Sequence, residues 1–266
     1  MYPRIFSTLA CIWLFAGSAA TAHEFWIGPE EYQVQSGAPL VAHLRNGQNF
    51  KGVSLAYFEK QTAKFNLVTR QGATPVQPRM GDVPALDVTA PGGGLVVVVH
   101  ETRPSTLKYT DWDQFQSFAE HKDYPDIREW HTGRGLPETG FTESYRRFAK
   151  ALVAVGSGDG SDDVTGMETE FVALTNPYTS DPADGFSARL YYQDKPRTNA
   201  QVEVFDKAPD GTVTTSFFRT DAAGDVTIPV TRGHRYLLDG VVLRPAPDGG
   251  TPVWESLWAA LTFAVP

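Results

Sequence analysis

The chain is nearly devoid of cysteine. Its single one, Cys11, lies in the first 22 residues. A mature chain without those residues has no disulfide and no thiolate, so any metal site must use histidine, carboxylate or an amino terminus. Basic charge is also short, with 23 Lys and Arg against 31 Asp and Glu and no long basic run. That excludes nucleic acid as a partner. Beyond residue 22 no apolar stretch reaches 18 residues, so the mature chain has no helical membrane span. No G-x-S-x-G, H-E-x-x-H or glycine-rich nucleotide loop occurs, so no nucleophile or nucleotide motif argues for an enzyme.

What the sequence does contain is turn chemistry and short apolar runs. It has 24 Gly and 19 Pro in 266 residues, with 41% apolar residues. This composition fits a turn-rich all-β protein. Residues 1–22 read as a secretory signal. Arg4 supplies the positive end, Ile5 to Ala16 the apolar core, and Ala20-Thr21-Ala22 a small-residue cleavage site. The expected location is therefore the periplasm. Losing Arg4 makes the net charge one unit more negative than −8.

The mature chain reads as two sandwich-like β domains, residues 23–176 and 177–266. In the first, Leu95 to Val99 is a continuous apolar run and reads as a buried strand. Asp111 can cap a short helix over 112–120, with Trp112, Phe115, Phe118 and Ala119 on one face. His121 to Phe141 reads as a long irregular connection, a place where function is often carried. Glu143 to Val155 fits a helix in its first half and a strand in its second. Gly156 to Thr165 reads as a solvated turn. Asp159, Asp162 and Asp163 could bind calcium there, but their spacing matches no EF-hand loop. The Pro, Asp and Gly of residues 177–185 read as a linker. Six strands after it predict an immunoglobulin-like or transthyretin-like sandwich.

Cleavage after Ala22 makes His23 the first residue. A free α-amino group has a pKa near 8, so it can yield its proton to a metal. The amine and the imidazole of one residue then close a chelate suited to Cu or Ni. Further ligands are sought among the other histidines. His121 and His131 sit in or beside the polar connection and are the first candidates. His100 ends an apolar strand and reads as a histidine at the core edge. His43 and His234 read as surface or turn residues. Glu24 and Glu101 are possible oxygen donors.

Several segments together resemble the DUF4198 family. They are His23–Trp26 (HEFW), Glu143–Gly156 (ESYRRFAKALVAVG), Met167–Pro177 (METEFVALTNP), Asp194–Pro196, Ala200–Val204, Thr220–Gly224 (TDAAG) and Trp258–Phe263 (WAALTF). The family is grouped with periplasmic components of nickel and cobalt uptake systems. The resemblance therefore implies an exported metal-binding protein that delivers nickel or cobalt to a membrane uptake system. His23 matches the family's mature N-terminal histidine, and Trp26 its aromatic residue three positions on. Copper is the alternative on ligand chemistry, either bound or used in an oxidative enzyme. A protein- or glycan-binding β module is a further alternative. If the signal reading holds, mass spectrometry of the exported protein will find His23 at its amino terminus. Any other first residue removes the chelate.

Overall fold

The computed structural model describes residues 23–247 and 249–266. The secretory-signal reading of residues 1–22 thus lies outside the described residues. Strands β1 (Glu24–Pro29), β2 (Gln33–Val34), β3 (Pro39–Gln48), β4 (Lys51–Leu55) and β5 (Thr62–Thr69) come first. β6 (Gly72–Pro75), β7 (Leu86–Thr89), β8 (Gly94–Thr102) and β9 (Ser105–Tyr109) lead to two helices, α1 (Trp112–His121) and α2 (Ile127–Gly133). β10 (Phe141–Val155), β11 (Thr169–Ala173), β12 (Phe186–Tyr192), β13 (Lys195–Pro196) and β14 (Gln201–Lys207) follow. β15 (Val213–Arg219), β16 (Asp225–Ile228), β17 (Arg235–Pro245) and β18 (Trp254–Ala264) complete the chain.

The all-β class with a short helical insert is what the structure shows. A ten-stranded sheet runs β15-β14-β17-β18-β10-β8-β5-β6, with β2 and β9 also paired to β10. Side chains alternate across a strand, and both faces of this sheet are covered. Val97, Val99, Phe148, Leu152 and Leu261 pack against Phe171, Phe186 and Leu190 of the sheet built on β11 and β12. Val96, Val98, Ala149, Ala151 and Ala260 pack with Ile27, Leu40, Leu44 and Leu86 of the sheet built on β1 and β3. Double-sided burial is why Leu95 to Val99 is apolar without interruption.

The division at 177–185 is corrected in one respect. The linker separates two strand-rich stretches of chain, but it does not separate two sheets. β18 returns from the second half and pairs in parallel with β10, from Glu143 opposite Trp254 to Ala151 opposite Thr262. Turn residues mark where strands end. They carry no information on which edges meet, so the shared sheet is invisible to that reading.

The helix opening at Asp111 is present, and the Asp111 carboxylate accepts the Asp113 N–H at 3.0 Å. Its apolar face and Ile127 of α2 pack on Phe141, Val241, Leu243, Trp254 and Trp258, closing one end of the central sheet. The expected irregular connection 121–141 therefore contains α2. All of Phe141–Val155 is strand, including the half that also fitted a helix.

The solvated-turn reading of residues 156–165 is also corrected, at Asp162. Lys150, in the middle of β10, is fully buried. Its ammonium lies 3.2 Å from Asp162 Oδ1 and 2.7 Å from Glu170 Oε2, and donates to the Asp163 carbonyl at 2.9 Å. The Asp162 carboxylate also accepts the Ala173 N–H at 2.9 Å, and Glu170 accepts the N–H groups of Thr165 and Met167. This buried triad fastens the turn to β10 and β11. Removing one partner of a buried ion cluster leaves uncompensated charge. Lys150→Ala is expected to lower stability by about 3–5 kcal/mol, read by equilibrium urea unfolding.

Candidate functional site

One face of the central sheet changes character at the end nearest the helices. The small residues that face β1 and β3 give way to His100 on β8, Glu143 and Arg147 on β10, Trp258 on β18, Asp239 on β17 and Glu203 on β14. Strand alternation alone selects these residues. His100 follows Val96 and Val98 at period two, and Arg147 precedes Ala149 and Ala151. Above part of this polar row lies a pocket of about 490 Å³. His23, Phe25, His100, Leu107, Phe118, Arg147 and Trp258 are among the residues that line it.

His100 is buried between aromatic rings. Its ring centroid is 5.4 Å from that of Phe25 and 5.2 Å from that of Phe65. Nε2 lies 3.3 Å from Thr62 Oγ1, and Nδ1 is buried with no hydrogen-bond partner among the described residues. Burial pushes its pKa down to about 3, so the imidazole is neutral. His23 is exposed and precedes β1. It stands two residues before Phe25, and both line the pocket.

Arg147 forms the inner wall. It pairs across strands with Trp258, and its guanidinium carbon sits 3.9 Å over the indole ring, a cation–π contact. Its Nη1 is enclosed without a hydrogen-bond partner among the described residues. Burial pulls the guanidinium pKa down, partly offset by Asp239. Beside it, Glu143 accepts the Tyr109 hydroxyl at 2.7 Å and the Ser256 hydroxyl, and burial raises its pKa. Ser256 in turn accepts the Trp258 indole N–H at 2.9 Å.

A charged cluster flanks the pocket. Lys122, just past α1, reaches Glu203 Oε2 at 2.6 Å and Asp239 Oδ2 at 2.9 Å. Burial works to lower the Lys122 pKa, but Asp239 and Glu203 outweigh it and hold the ammonium charged. Glu24, the residue after His23, is buried near this cluster. Burial and then Asp239 push its pKa up to about 7. Its Oε2 has no hydrogen-bond partner among the described residues.

The expected ligands His23, His121 and His131 are not brought together. Among the described residues no group of three His, Cys, Asp or Glu is arranged to hold a metal. His131 is fully buried and both ring nitrogens are engaged. Nδ1 accepts the Trp254 indole N–H at 2.9 Å, and Nε2 donates to the Pro137 carbonyl at 2.9 Å. Its expected ligand role is corrected: it joins α2 to β18. His121 keeps one open side, but its Nε2 lies 3.0 Å from Glu203 and it does not line the pocket. His43 faces Glu30 and His234 faces Asp206. Glu101 sits 3.8 Å from Arg146. His100, read as a core-edge histidine, is the one that shares a pocket with His23.

A family model described as "Domain of unknown function (DUF4198)" matches residues 20–242. No curated protein matches the chain. Solved structures similar to the chain include two of low identity. One is a tetra-tandem repeat in the extending region of a large adhesion protein, at 11% identity and a TM-score of 0.24. That match covers 93% of this chain and 50% of the other, so the chain spans half the length of that structure. The second is the D0-D1 domain of intimin, at 15% identity and a TM-score of 0.20, covering 90% of this chain and 97% of the other. At these scores neither carries an argument about this site.

The Glu24 shift has a signed consequence. The folded chain holds a proton that the unfolded chain releases between pH 4.5 and about 7. Stability therefore falls as pH rises through that window, by about 3 kcal/mol in all. Glu24→Gln is expected to flatten this slope and to be the more stable protein at pH 8. Urea unfolding at pH 5 and pH 8 measures both.

Proposed function

The chain belongs to the DUF4198 family, and from that premise we propose that it is an exported protein that binds one transition-metal ion in the periplasm. Nickel or cobalt, passed to a membrane uptake system, is the first reading. Copper is the second. The observation that carries the proposal is the pairing of His23 and His100 in one pocket, with His100 Nδ1 buried and unpartnered. Cleavage before His23 would add an α-amino nitrogen at the same place. Two imidazoles and an amine, without thiolate, suit Ni(II), Co(II) or Cu(II). His23 and His100 replace the set of His23, His121 and His131.

The residues fit such an ion in a second way. A neutral imidazole held between Phe25 and Phe65 cannot lower its cost of burial by taking a proton, and a metal would satisfy its free nitrogen. The aromatic neighbours fix the ring, so little ordering is left to binding. The acidic balance of the chain favours approach of a divalent cation.

Calorimetry with Ni(II), Co(II) and Cu(II) tests this. The chain beginning at His23 is compared with one carrying an extra alanine before it, and with His100→Ala. Each change is expected to weaken binding at least about tenfold, equivalent to about 1.4 kcal/mol or more. His131→Ala is expected to reduce stability and leave metal affinity unchanged. Binding should weaken with acid, as protons compete for the same nitrogens. Equal affinities for the native and extended chains would remove the amino terminus from the site.

A further inference from the structure

The pocket is larger than a metal ion needs. An ion with six waters takes on the order of 200 Å³ at about 30 Å³ per water, against about 490 Å³ here. Its volume lies in the range of small-molecule sites. Its lining is mixed, with Phe25, Leu107, Phe118 and Trp258 offering apolar surface and Arg147 a cation.

Arg147 is the unexplained group. A guanidinium has five N–H donors, and a buried donor left unpaired costs stability. Its Nη1 is enclosed without a hydrogen-bond partner among the described residues, and the neighbouring carboxylates Glu101, Glu168 and Glu255 lie against Arg146 instead. The adjacent Glu143 is already committed, with Tyr109 on one oxygen and Ser256 on the other. The guanidinium is meanwhile fixed in place by the Trp258 ring at 3.9 Å. A positioned cation that no carboxylate pairs among the described residues, lining a pocket with apolar surface, is a half-built recognition site.

We propose that this pocket binds a small organic monocarboxylate, with the carboxylate on Arg147 and the carbon body against Phe118, Leu107 and Phe25. A single carboxylate matches the one Lys or Arg side chain that lines the pocket among the described residues. A phosphate dianion would bring a second negative charge beside Glu143 with nothing to balance it. The proposal does not rest on the metal reading, because it uses neither His23 nor His100.

The test uses metal-free protein expressed from the full-length sequence and purified. Calorimetry compares benzoate with its uncharged counterpart benzamide, and with inorganic phosphate. Benzoate is expected to bind at least tenfold more tightly than benzamide, and phosphate more weakly than benzoate. Arg147→Met keeps a side chain over Trp258 without charge and is expected to abolish the preference for benzoate. Arg147→Lys is expected to retain part of it. Thermal melting confirms that each variant is folded. If Arg147→Met fails to fold, the wild-type ratio and Arg147→Lys decide. Equal binding of benzoate and benzamide, no benzoate binding, tighter phosphate binding, or a preference that survives in folded Arg147→Met would each overturn the proposal. Adding a residue before His23 should leave the benzoate preference intact, which separates failure here from failure of the metal site.

Discussion

Everything in this molecule hangs on the parallel pairing of β10 with β18. These strands form the middle of the ten-stranded sheet, and nine residue pairs join them, from Glu143–Trp254 to Ala151–Thr262. The pairing lets each face of the central sheet acquire its own cover. One face takes the sheet of β11 and β12, and the other takes that of β1 and β3. Alternation then dictates the rest. Even and odd positions of the same strand serve different cores, so Phe148 and Ala149 are both buried yet never share a neighbourhood. Small residues on the β1 side, such as Ala149, Ala151 and Ala260, let that layer approach closely.

The site exists because one cover stops short. Where β1 begins, the face that held Val96 and Ala151 carries His100, Arg147 and Asp239 instead, and Phe118 of α1 and Lys122 just past it cover part of it. Charges removed from water at such a margin must find partners or change protonation. Lys122 does the first, between Glu203 and Asp239. Glu24 does the second. Arg147 does neither completely, and rests its charge on the face of Trp258. The difference follows from position: Lys122 enters on a flexible stem from a helix end, whereas Arg147 rises from a strand whose neighbours are already fixed.

Much of the fold was legible because its signals are local. Asp111 and the aromatic spacing after it define α1, and the Leu95–Val99 run defines a strand buried on both faces. The shared sheet was not legible, because β18 meets β10 across more than a hundred residues. Nor was Asp162, whose turn-like neighbours hide a buried partner of Lys150. For the site, His23 drew attention from the cleavage position expected before it, and His121 and His131 for lying in a polar segment. Ring packing against Trp112 and Phe141, together with Trp254, took His131 out of play. The available signal was a break in pattern: a lone histidine and a lone arginine at period-two positions of apolar strands. Strand alternation would have placed them on one face, and sequence proximity could not.

The order of β10 and β18 along the chain also sets a sequence of events in time. A ribosome delivers β10 well before β18 exists. Until then, β10, the longest strand among the described residues, has one edge unpaired along residues Glu143–Ala151 and much of its apolar surface uncovered. Such an edge is a template for the wrong partner. The nascent chain must therefore be kept from settling until its last eleven-residue strand arrives, and the finished molecule cannot be cut at the linker into two pieces that each keep a complete sheet.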